Sequence, residues 1–299
     1  MIRLLAIPIL CTPFLLPTPP QDPDGLKIYI SVDMEGLAGA VTSEQLGPDG
    51  FEYQRFRQFM TDEANAAIQG ALEAGATEIV VSDSHGNGQN LLIEQLPEDI
   101  PIIRSWPRPL MMMEGIDASF DGAIYIGYHS STTNTEGVRA HTMSSANLTA
   151  VKLNGIEMPE GGINAAIAGH FDVPIIMVSG DDATISEVTE VVGDMEQAVV
   201  KEAISFHSAR NLHPTAAASL IKEKATTAVR RIKDFKPYKL EAPITVDISF
   251  KHYQPAQLLE YLPICERVDS HTIRFVAKDM VEASKFMGFV TRYRVDITP

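Results

Sequence analysis

The amino-acid sequence predicts an α/β fold in which a mostly parallel three-layer sheet domain precedes a smaller C-terminal α+β domain. From residue 26 onward, short and nearly continuous apolar segments alternate with helical patterns, as in sheets that are covered on both faces. After about residue 209 the pattern changes to an Ala-rich amphipathic segment and then a strictly alternating strand. We therefore place the sheet domain at residues 26–208 and the smaller domain at residues 209–299.

The first half of the sheet domain contains three predicted strands and one long helix. The apolar segments KIYISVD, TEIVVSD and GAIYIGY predict strands that end near Asp33, His85 and His129. Between the first two strands, apolar residues recur at spacings of three and four over residues 51–74, which predicts an amphipathic helix. Gly75 follows as the expected end of that helix.

The remaining elements show the same alternation. The Asn154–Gly155 pair predicts a turn, residues 162–169 predict a helix, and VPIIMVSGDD predicts another buried strand. In the smaller domain, the segment HPTAAASLIKEKATTAVRRIKDF predicts a helix, and the alternation in ITVDISF predicts a half-exposed strand. The segments PAQLLEYL, HTIRFVA and KDMVEASKFMGF then predict a helix, a strand and a helix.

Residues 1–25 form a predicted leader and a Pro-rich linker. Arg3 precedes the apolar run LLAIPILCTPFLL, which is too short to span a bilayer and leads into PTPPQDPDG, so the segment is typical of a secretory signal. This predicts export to the periplasm or the extracellular space. The alternative is a cytoplasmic protein with a misassigned start, because Pro8 and Pro13 interrupt the run and no A-x-A site follows. No later segment predicts a membrane helix.

Charge and cysteine content exclude several classes of partner. The formal net charge is -15, and no Lys/Arg cluster offsets it, so nucleic acid is excluded as a partner. An acidic surface favours cationic ligands such as free amines, although solubility explains it more simply. Only Cys11 and Cys265 are present, so we expect no structural disulfide.

Five potential metal ligands lie where predicted elements meet. In open α/β sheets, side chains just past the carboxyl ends of strands converge in space. Two imidazoles and three carboxylates suit zinc, and suit manganese or cobalt less well. Five ligands exceed the need of one tetrahedral ion, so a carboxylate shared by two ions, and hence a dinuclear hydrolytic site, is indicated. The five residues are Asp33, Glu35, His85, His129 and Glu160.

Each ligand also has a simpler structural interpretation. Asp33 and Glu35 have the usual composition of a solvated turn, and His85 fits an exposed loop residue. His129 fits a buried core histidine equally well. Glu160 fits a charge placed favourably at a helix N-terminus. If His85 is a ligand, either the neighbouring aspartate or a backbone carbonyl must orient its second nitrogen.

Several other residues have two interpretations that the sequence leaves open. Asp181 and Asp182 either support the site or cap the next helix. The run Met111–Met113 predicts packing, with a pocket wall as the alternative. His141 is a candidate proton-transfer group, because an imidazole titrates near neutral pH. The remaining histidines are predicted to lie at the surface or in the core, away from the site: His170, His207, His213, His252 and His271.

The ordered set of motifs is more specific than any one of them. SVDMEG, SDSHG, IGYHS, HTMSS and NGIEMPEGGINAA, followed by VSGDD, extend from Lys27 to Asp182. In this order they resemble the D-aminopeptidase family of dinuclear zinc peptidases, peptidase family M55. The resemblance continues more loosely through the rest of the chain.

The resemblance implies a role for each matching residue. Asp33 would bridge two zinc ions, with Glu35 and His85 completing one shell and His129 and Glu160 the other. His141 would be the catalytic histidine. The resemblance also implies a ring-built homodecamer whose internal channel admits only short peptides. Family members are typically cytoplasmic, so the predicted leader of this chain is a departure.

The reaction expected from the resemblance is hydrolysis of the N-terminal peptide bond of a short peptide by a hydroxide that bridges the metals. His141 would either relay a proton to the leaving amine or stabilise the oxyanion, and the sequence leaves both roles open. D-specificity follows from the resemblance alone. The alternatives are an exported, non-catalytic metal- or dipeptide-binding protein and another metallohydrolase, either an amidase or a phosphatase. A phosphatase usually adds cationic groups, and among these motifs only Arg139 is close.

Overall fold

A computed structural model describes residues 25–295. The predicted leader lies outside the described residues, apart from Gly25, so export stays a prediction. The strands are β1 Leu26–Val32, β2 Ala76–Asp83, β3 Ile102–Ile103, β4 Gly122–Tyr128, β5 Leu148–Leu153, β6 Ile156–Glu157, β7 Ile175–Asp181, β8 Glu196–Ser205, β9 Ser208–Asn211, β10 Ile244–Phe250, β11 Cys265–Arg267 and β12 Thr272–Ala277. The helices are α1 Ser43–Leu46, α2 Tyr53–Glu73, α3 Glu160–His170, α4 Asp182–Val192, α5 Pro214–Arg230, α6 Tyr253–Leu259 and α7 Met280–Arg292.

Two sheets organise the chain. The first has the strand order β3-β2-β1-β4-β7-β8-β9, and every pair in it is parallel except β8 with β9. The second sheet is antiparallel throughout, in the order β11-β12-β10-β5-β6. The predicted fold class, a mostly parallel α/β sheet with a smaller α+β part, is confirmed.

The strand β1 lies near the middle of the first sheet, and this position matters for the site. Its parallel neighbours are β2 on one side and β4 on the other. All three strands are buried toward their carboxyl ends and are rich in β-branched or aromatic residues, as expected where helices cover both faces. The carboxyl ends of three adjacent strands therefore meet at one edge.

The helices form two packed groups. The helix α2 packs on α5 and contacts β1, β2 and β4, while α3 packs on α4 and β4. The apolar stripe predicted over residues 51–74 is the face of α2 that is buried, and Gly75, at φ +106°, ends the helix as expected. The helix predicted over residues 162–169 begins two residues earlier, at Glu160, with Pro159 in the capping position.

The second sheet takes strands from widely separated parts of the chain. The strands β5 and β6 are joined at the predicted Asn154–Gly155 turn and pair with each other in antiparallel fashion. The other edge of β5 pairs with β10, also antiparallel. The helix α7 packs on β10 and β12 and also contacts α3. The division of domains at residue 209 stays a prediction. Through its contact with α3, the helix α7 at the end of the chain reaches the functional edge of the first sheet.

Between residues 25 and 295, no helix combines the length and the apolar character needed to cross a membrane.

Candidate metal centre

All five predicted ligands lie together at the carboxyl edge of the first sheet. Asp33 directly follows β1, His129 directly follows β4, and His85 lies two residues beyond β2. Glu160 is the first residue of α3, and all of them line one pocket. Their exposed fractions are between 1% and 8%, so the solvated-turn and exposed-loop interpretations of these residues are wrong.

Two glycines allow the β1 and β4 loops to approach each other closely. The Gly36 amide donates to the Gly127 carbonyl at 2.7 Å. A Cβ on Gly36 would lie 2.0 Å from the Tyr128 carbonyl oxygen, and a Cβ on Gly127 would lie 2.3 Å from the Asp33 carbonyl oxygen. Gly127 also has φ +70°, a conformation that favours glycine. The close approach brings Asp33 and His129 to one site.

Asp33 stands between the two histidines, with one carboxylate oxygen facing each. Its Oδ1 lies 3.1 Å from His85 Nδ1, and its Oδ2 lies 3.4 Å from His129 Nε2. The Met34 amide also donates to Oδ1 at 2.8 Å, which fixes the carboxylate plane. This is the arrangement that a carboxylate bridging two cations requires.

A second carboxylate accompanies each histidine. Glu35 Oε2 lies 2.8 Å from His85 Nδ1. On the other side, Glu160 Oε1 lies 3.4 Å from His129 Nε2 and accepts the Met143 amide at 2.6 Å. Each half of the cluster thus offers one imidazole nitrogen, one private carboxylate and one oxygen of the shared Asp33.

The outer nitrogens of both histidines are held by backbone carbonyls. His85 Nε2 lies 2.6 Å from the Leu46 carbonyl, and His129 Nδ1 lies 3.1 Å from the Ser130 carbonyl. A carbonyl only accepts, so these nitrogens carry the protons. In the neutral tautomer, the inner nitrogens then present lone pairs to carboxylate oxygens. Lone pairs facing carboxylates need either a proton or a cation between them, so the donor set fits a divalent metal.

The protonation preferences agree with this interpretation. Burial lowers the pKa of His85, but Glu35 and Asp33 outweigh it and raise that pKa well above its usual value. Burial also lowers the pKa of His129, but Glu160 and Asp33 outweigh it and raise that pKa well above its usual value. Burial and the nearby Glu35 raise the pKa of Asp33. Buried carboxylates at such close range therefore demand positive charge.

His141 lies beside the cluster and contacts both halves. Its Nδ1 lies 2.7 Å from the Arg139 carbonyl, and its Nε2 lies 3.9 Å from Glu35 Oε1 and from Glu160 Oε1. Its ring stacks on His129 with centroids 3.9 Å apart. Burial and then His129 lower the pKa of His141, so its neutral form is favoured.

A buried lysine holds the loop that carries Asp33 and Glu35. Lys201 of β8 donates from Nζ to the carbonyls of Glu35 at 2.5 Å, Leu37 at 3.2 Å and Ala40 at 2.6 Å. Burial lowers the pKa of Lys201 to about 8. No motif predicted this residue, although a lone lysine within the apolar segment AVVKEA was a visible signal.

The site continues into a cavity of about 260 Å³. Two arginines, Arg292 at the end of α7 and Arg294 beyond it, line this cavity, together with Trp106. No sequence motif indicated them, because they lie more than a hundred residues beyond the last ligand. Arg139, the cation that the sequence suggested, instead lies 5.3 Å from the ring of Phe206 and does not line the cavity.

The structure distinguishes between the two interpretations of each neighbouring residue. Asp181 caps α4 by accepting the Thr184 amide at 2.8 Å, and Asp182 accepts the Ala203 amide at 2.8 Å. Neither lines the cavity. The run Met111–Met113 is buried, as predicted for packing, and Met111 and Met112 also form part of the cavity wall. The Leu46 carbonyl, rather than Asp83, orients His85.

Asp83 instead shapes the loop after β2. Its carboxylate accepts the amides of Asn90 at 2.5 Å and Leu91 at 2.8 Å. The remaining histidines lie at the surface or are half-buried, outside the cavity: His170, His207, His213, His252 and His271.

Comparison with known proteins gives three matches. The model of the Peptidase_M55 family, described as D-aminopeptidase, matches residues 26–289. The chain is 35% identical over 267 residues to a D-aminopeptidase of Bacillus subtilis strain 168, covering 89% of this chain and 97% of that protein. The solved structure of the Zn-dependent D-aminopeptidase DppA from Bacillus subtilis, described as a self-compartmentalizing protease, matches with a TM-score of 0.85 and 35% identity. That match covers 89% of this chain and 97% of the other.

Proposed function

Because the chain belongs to the D-aminopeptidase family M55, we propose that it is a zinc-dependent aminopeptidase that removes the N-terminal residue from short peptides containing D-amino acids. The observation that carries this proposal is the position of Asp33, which directs one carboxylate oxygen to His85 and the other to His129. The similarity to a relative described as Zn-dependent supports the choice of metal.

We assign the ligands by their neighbours. Asp33 would be shared by two zinc ions, Glu35 and His85 would hold one, and His129 and Glu160 would hold the other. The pairing rests on the 2.8 Å contact of Glu35 with His85 and the 3.4 Å contact of Glu160 with His129. Zinc held by these residues would supply a water with a pKa lowered toward about 7 and a polarised carbonyl, which is the chemistry that amide hydrolysis needs.

His141 is placed to move the proton in this reaction. Its Nδ1 donates to the Arg139 carbonyl, so in the neutral ring Nε2 is an acceptor facing the cluster. A neutral imidazole with this tautomer takes a proton from the attacking water and then passes it to the leaving amine. A role as oxyanion donor requires Nε2 to be protonated already, which the lowered pKa of His141 disfavours.

The rival functions receive less support. A non-catalytic binding protein needs the five ligands but gains nothing from a neutral His141 placed 3.9 Å from two of their carboxylates. The scarcity of cations near the motifs counted against a phosphatase, and Arg292 and Arg294 remove that objection. The family match, which covers residues 26–289, favours peptide substrates over phosphate esters.

The test of this proposal is zinc-dependent amino-acid release. The full chain, stripped of metal by a chelator, should release no D-alanine from D-Ala-D-Ala, and zinc should restore release by at least about tenfold. The stereochemical control is L-Ala-L-Ala under the same conditions, which should react much more slowly. Released amino acid is measured by chromatography.

Each outcome distinguishes between candidate functions. Equal or faster release from the L pair would keep the zinc mechanism and remove the D assignment. Turnover of p-nitrophenyl phosphate with neither dipeptide cleaved would favour the phosphatase. Tight zinc binding without any turnover would favour the binding protein.

We also propose that the chain forms a homo-oligomer, with a ring-built decamer as the specific form. The similarity to a relative described as a self-compartmentalizing protease supports this. Exposed apolar side chains around α6 and β11 offer contact area of the kind that marks interfaces. They are Tyr253, Leu258, Tyr261 and Ile264, each more than half exposed.

Light scattering on the full chain tests this assembly. We expect a mass of about ten times the 32.7 kDa of one chain. A monomer at micromolar concentration would contradict any oligomer, and a dimer would keep the oligomer but reject the ring.

A further inference from the structure

The cavity beside the carboxylate–histidine cluster has a cationic side whose donors are used by no other group among residues 25–295. Arg292 and Arg294 are the only lysines or arginines among the described residues that line it. The carboxylate cluster lies in the same cavity. A short peptide is itself a dipole, with an amine at one end and a carboxylate at the other.

Arg292 is held in place by an aromatic ring. Its guanidinium carbon lies 3.7 Å from the ring centroid of Trp106, whose indole nitrogen donates to the Gly86 carbonyl at 2.9 Å. Stacking on a ring face leaves the in-plane N–H groups of a guanidinium available for an anion. The position of Arg292 is therefore defined without use of its hydrogen-bond donors.

Arg108 provides an internal contrast, because it lies against the same ring, 4.2 Å from its centroid. Its donors are occupied by Ser105 O at 2.5 Å, Ser82 Oγ at 2.9 Å and Asp83 O at 2.8 Å. Arg108 is thus a structural residue. Within residues 25–295, no carboxylate forms an ion pair with Arg292 and no hydrogen bond engages its guanidinium.

The environment of Arg292 favours an anionic partner. Arg292 is an exposed residue, yet its neighbours desolvate the guanidinium enough to lower its pKa. A partly desolvated cation without a partner is unfavourable, and a bidentate carboxylate is the anion that best matches a guanidinium. In the simpler interpretation, Arg292 only packs on Trp106 at the C-terminus of α7. That interpretation does not explain why Arg292 also lines the cavity.

We propose that Arg292 binds the free C-terminal carboxylate of the substrate, so that this enzyme selects very short peptides with an unblocked C-terminus. This inference rests on the proposed aminopeptidase function. The family model ends at residue 289, three residues before Arg292, so the matched region does not include it.

The dimensions agree with a dipeptide. Glu160 and Arg292 line the same cavity. Two extended residues span about 7 Å. The cavity of about 260 Å³ is close to the smallest typical small-molecule pockets, roughly 300 Å³, so a long chain does not fit inside it.

The test compares D-Ala-D-Ala with its C-terminal amide on the zinc-loaded full chain. Wild type should show a kcat/KM roughly 10- to 100-fold higher for the free acid, because the amide forfeits a charge-assisted pair. In Arg292→Gln, the rate on the acid should fall toward that on the amide, whereas the rate on the amide should change much less. Arg292→Lys should recover part of the preference, since the charge remains without the planar fork.

The matched control is Arg230→Gln, which removes the arginine that ends α5, an exposed residue outside the cavity. It should keep the full preference for the acid. Equal rates on acid and amide in wild type, or an unchanged preference in Arg292→Gln, would overturn the proposal and leave the aminopeptidase function intact. A loss of rate on both substrates would identify Arg292 as a structural residue and would also overturn it.

Calorimetry separates this proposal from the proposed function. If wild type hydrolyses neither peptide, the aminopeptidase proposal fails, and binding of the two peptides then decides the role of Arg292. Tighter binding of the acid, lost in Arg292→Gln, supports the carboxylate site. Equal binding of both, or binding of neither, overturns it.

Discussion

Replacement of Asp33 by alanine should abolish peptide hydrolysis and reduce bound zinc from two ions per chain to less than one. Asp33 is the only described residue that faces both His85 and His129. Without it each half of the cluster keeps one imidazole and one carboxylate, too few ligands for tight zinc binding. We expect a loss in kcat/KM of at least about 1,000-fold. Mass spectrometry of bound metal and D-Ala-D-Ala turnover are the two measurements.

Asp182→Ala is the matched control for this substitution. Asp182 also follows the carboxyl end of a strand in the first sheet, β7, but it is exposed and does not line the cavity. Its loss removes one hydrogen bond to the Ala203 amide, with an expected effect of about 1 kcal/mol on stability and none on zinc. Two zinc ions retained in Asp33→Ala would contradict the shared-carboxylate assignment, whatever the activity.

The sequence contained enough information to predict where the cluster forms. Asp33, His85 and His129 follow apolar runs that are recognisable as strands, and parallel strands end at one edge of a sheet. Recognising the strands and placing their ends at one edge of the sheet both succeed without knowledge of the loop conformations. The strand order then places β1 between β2 and β4, so the three side chains converge although they lie up to 96 residues apart in the chain.

The sequence could not predict the groups that surround the cluster. Arg292 reaches the cavity because α7 packs on the second sheet and on α3, a tertiary contact with no periodic signal. Trp106 lies in an irregular segment between β3 and β4, where the spacing of hydrophobic residues does not indicate which way a side chain points. Lys201 is predictable only once β8 is known to run past the Asp33–Ala40 loop. The residues of the carboxylate–histidine cluster were therefore predictable from sequence, whereas the other residues that line the cavity were not.

The positions of the histidine protons were equally hidden from sequence. They depend on the carbonyls of Leu46, Ser130 and Arg139, and any residue type supplies a carbonyl. These three contacts divide the histidines by role. The carbonyl contacts of His85 and His129 leave the lone pair of the other ring nitrogen 2.8–3.4 Å from carboxylate oxygens. The carbonyl contact of His141 leaves the corresponding lone pair 3.9 Å from the nearest carboxylate oxygens. The longer distance supports the proposed role of His141 in proton transfer.

Replacement of His141 by alanine should therefore retain both zinc ions and lose most turnover. Asp33, Glu35, His85, His129 and Glu160 keep their mutual contacts without it, because none of them depends on the His141 ring for its nearest partner. Loss of a general acid–base group lowers kcat by roughly 100- to 10,000-fold. The measurements are bound zinc by mass spectrometry and kcat with D-Ala-D-Ala at saturating substrate.

His129→Ala separates the two roles that neighbouring imidazoles have in this cluster. The rings of His129 and His141 stack 3.9 Å apart, so both substitutions open a similar space and remove a similar ring. His129→Ala should lose zinc together with activity, whereas His141→Ala should lose activity alone. A His141→Ala variant with nearly wild-type kcat would exclude the proton-transfer role. Parallel loss of zinc in both variants would instead make His141 a sixth ligand, a role that is chemically compatible with its 3.9 Å approach to Glu35 and Glu160.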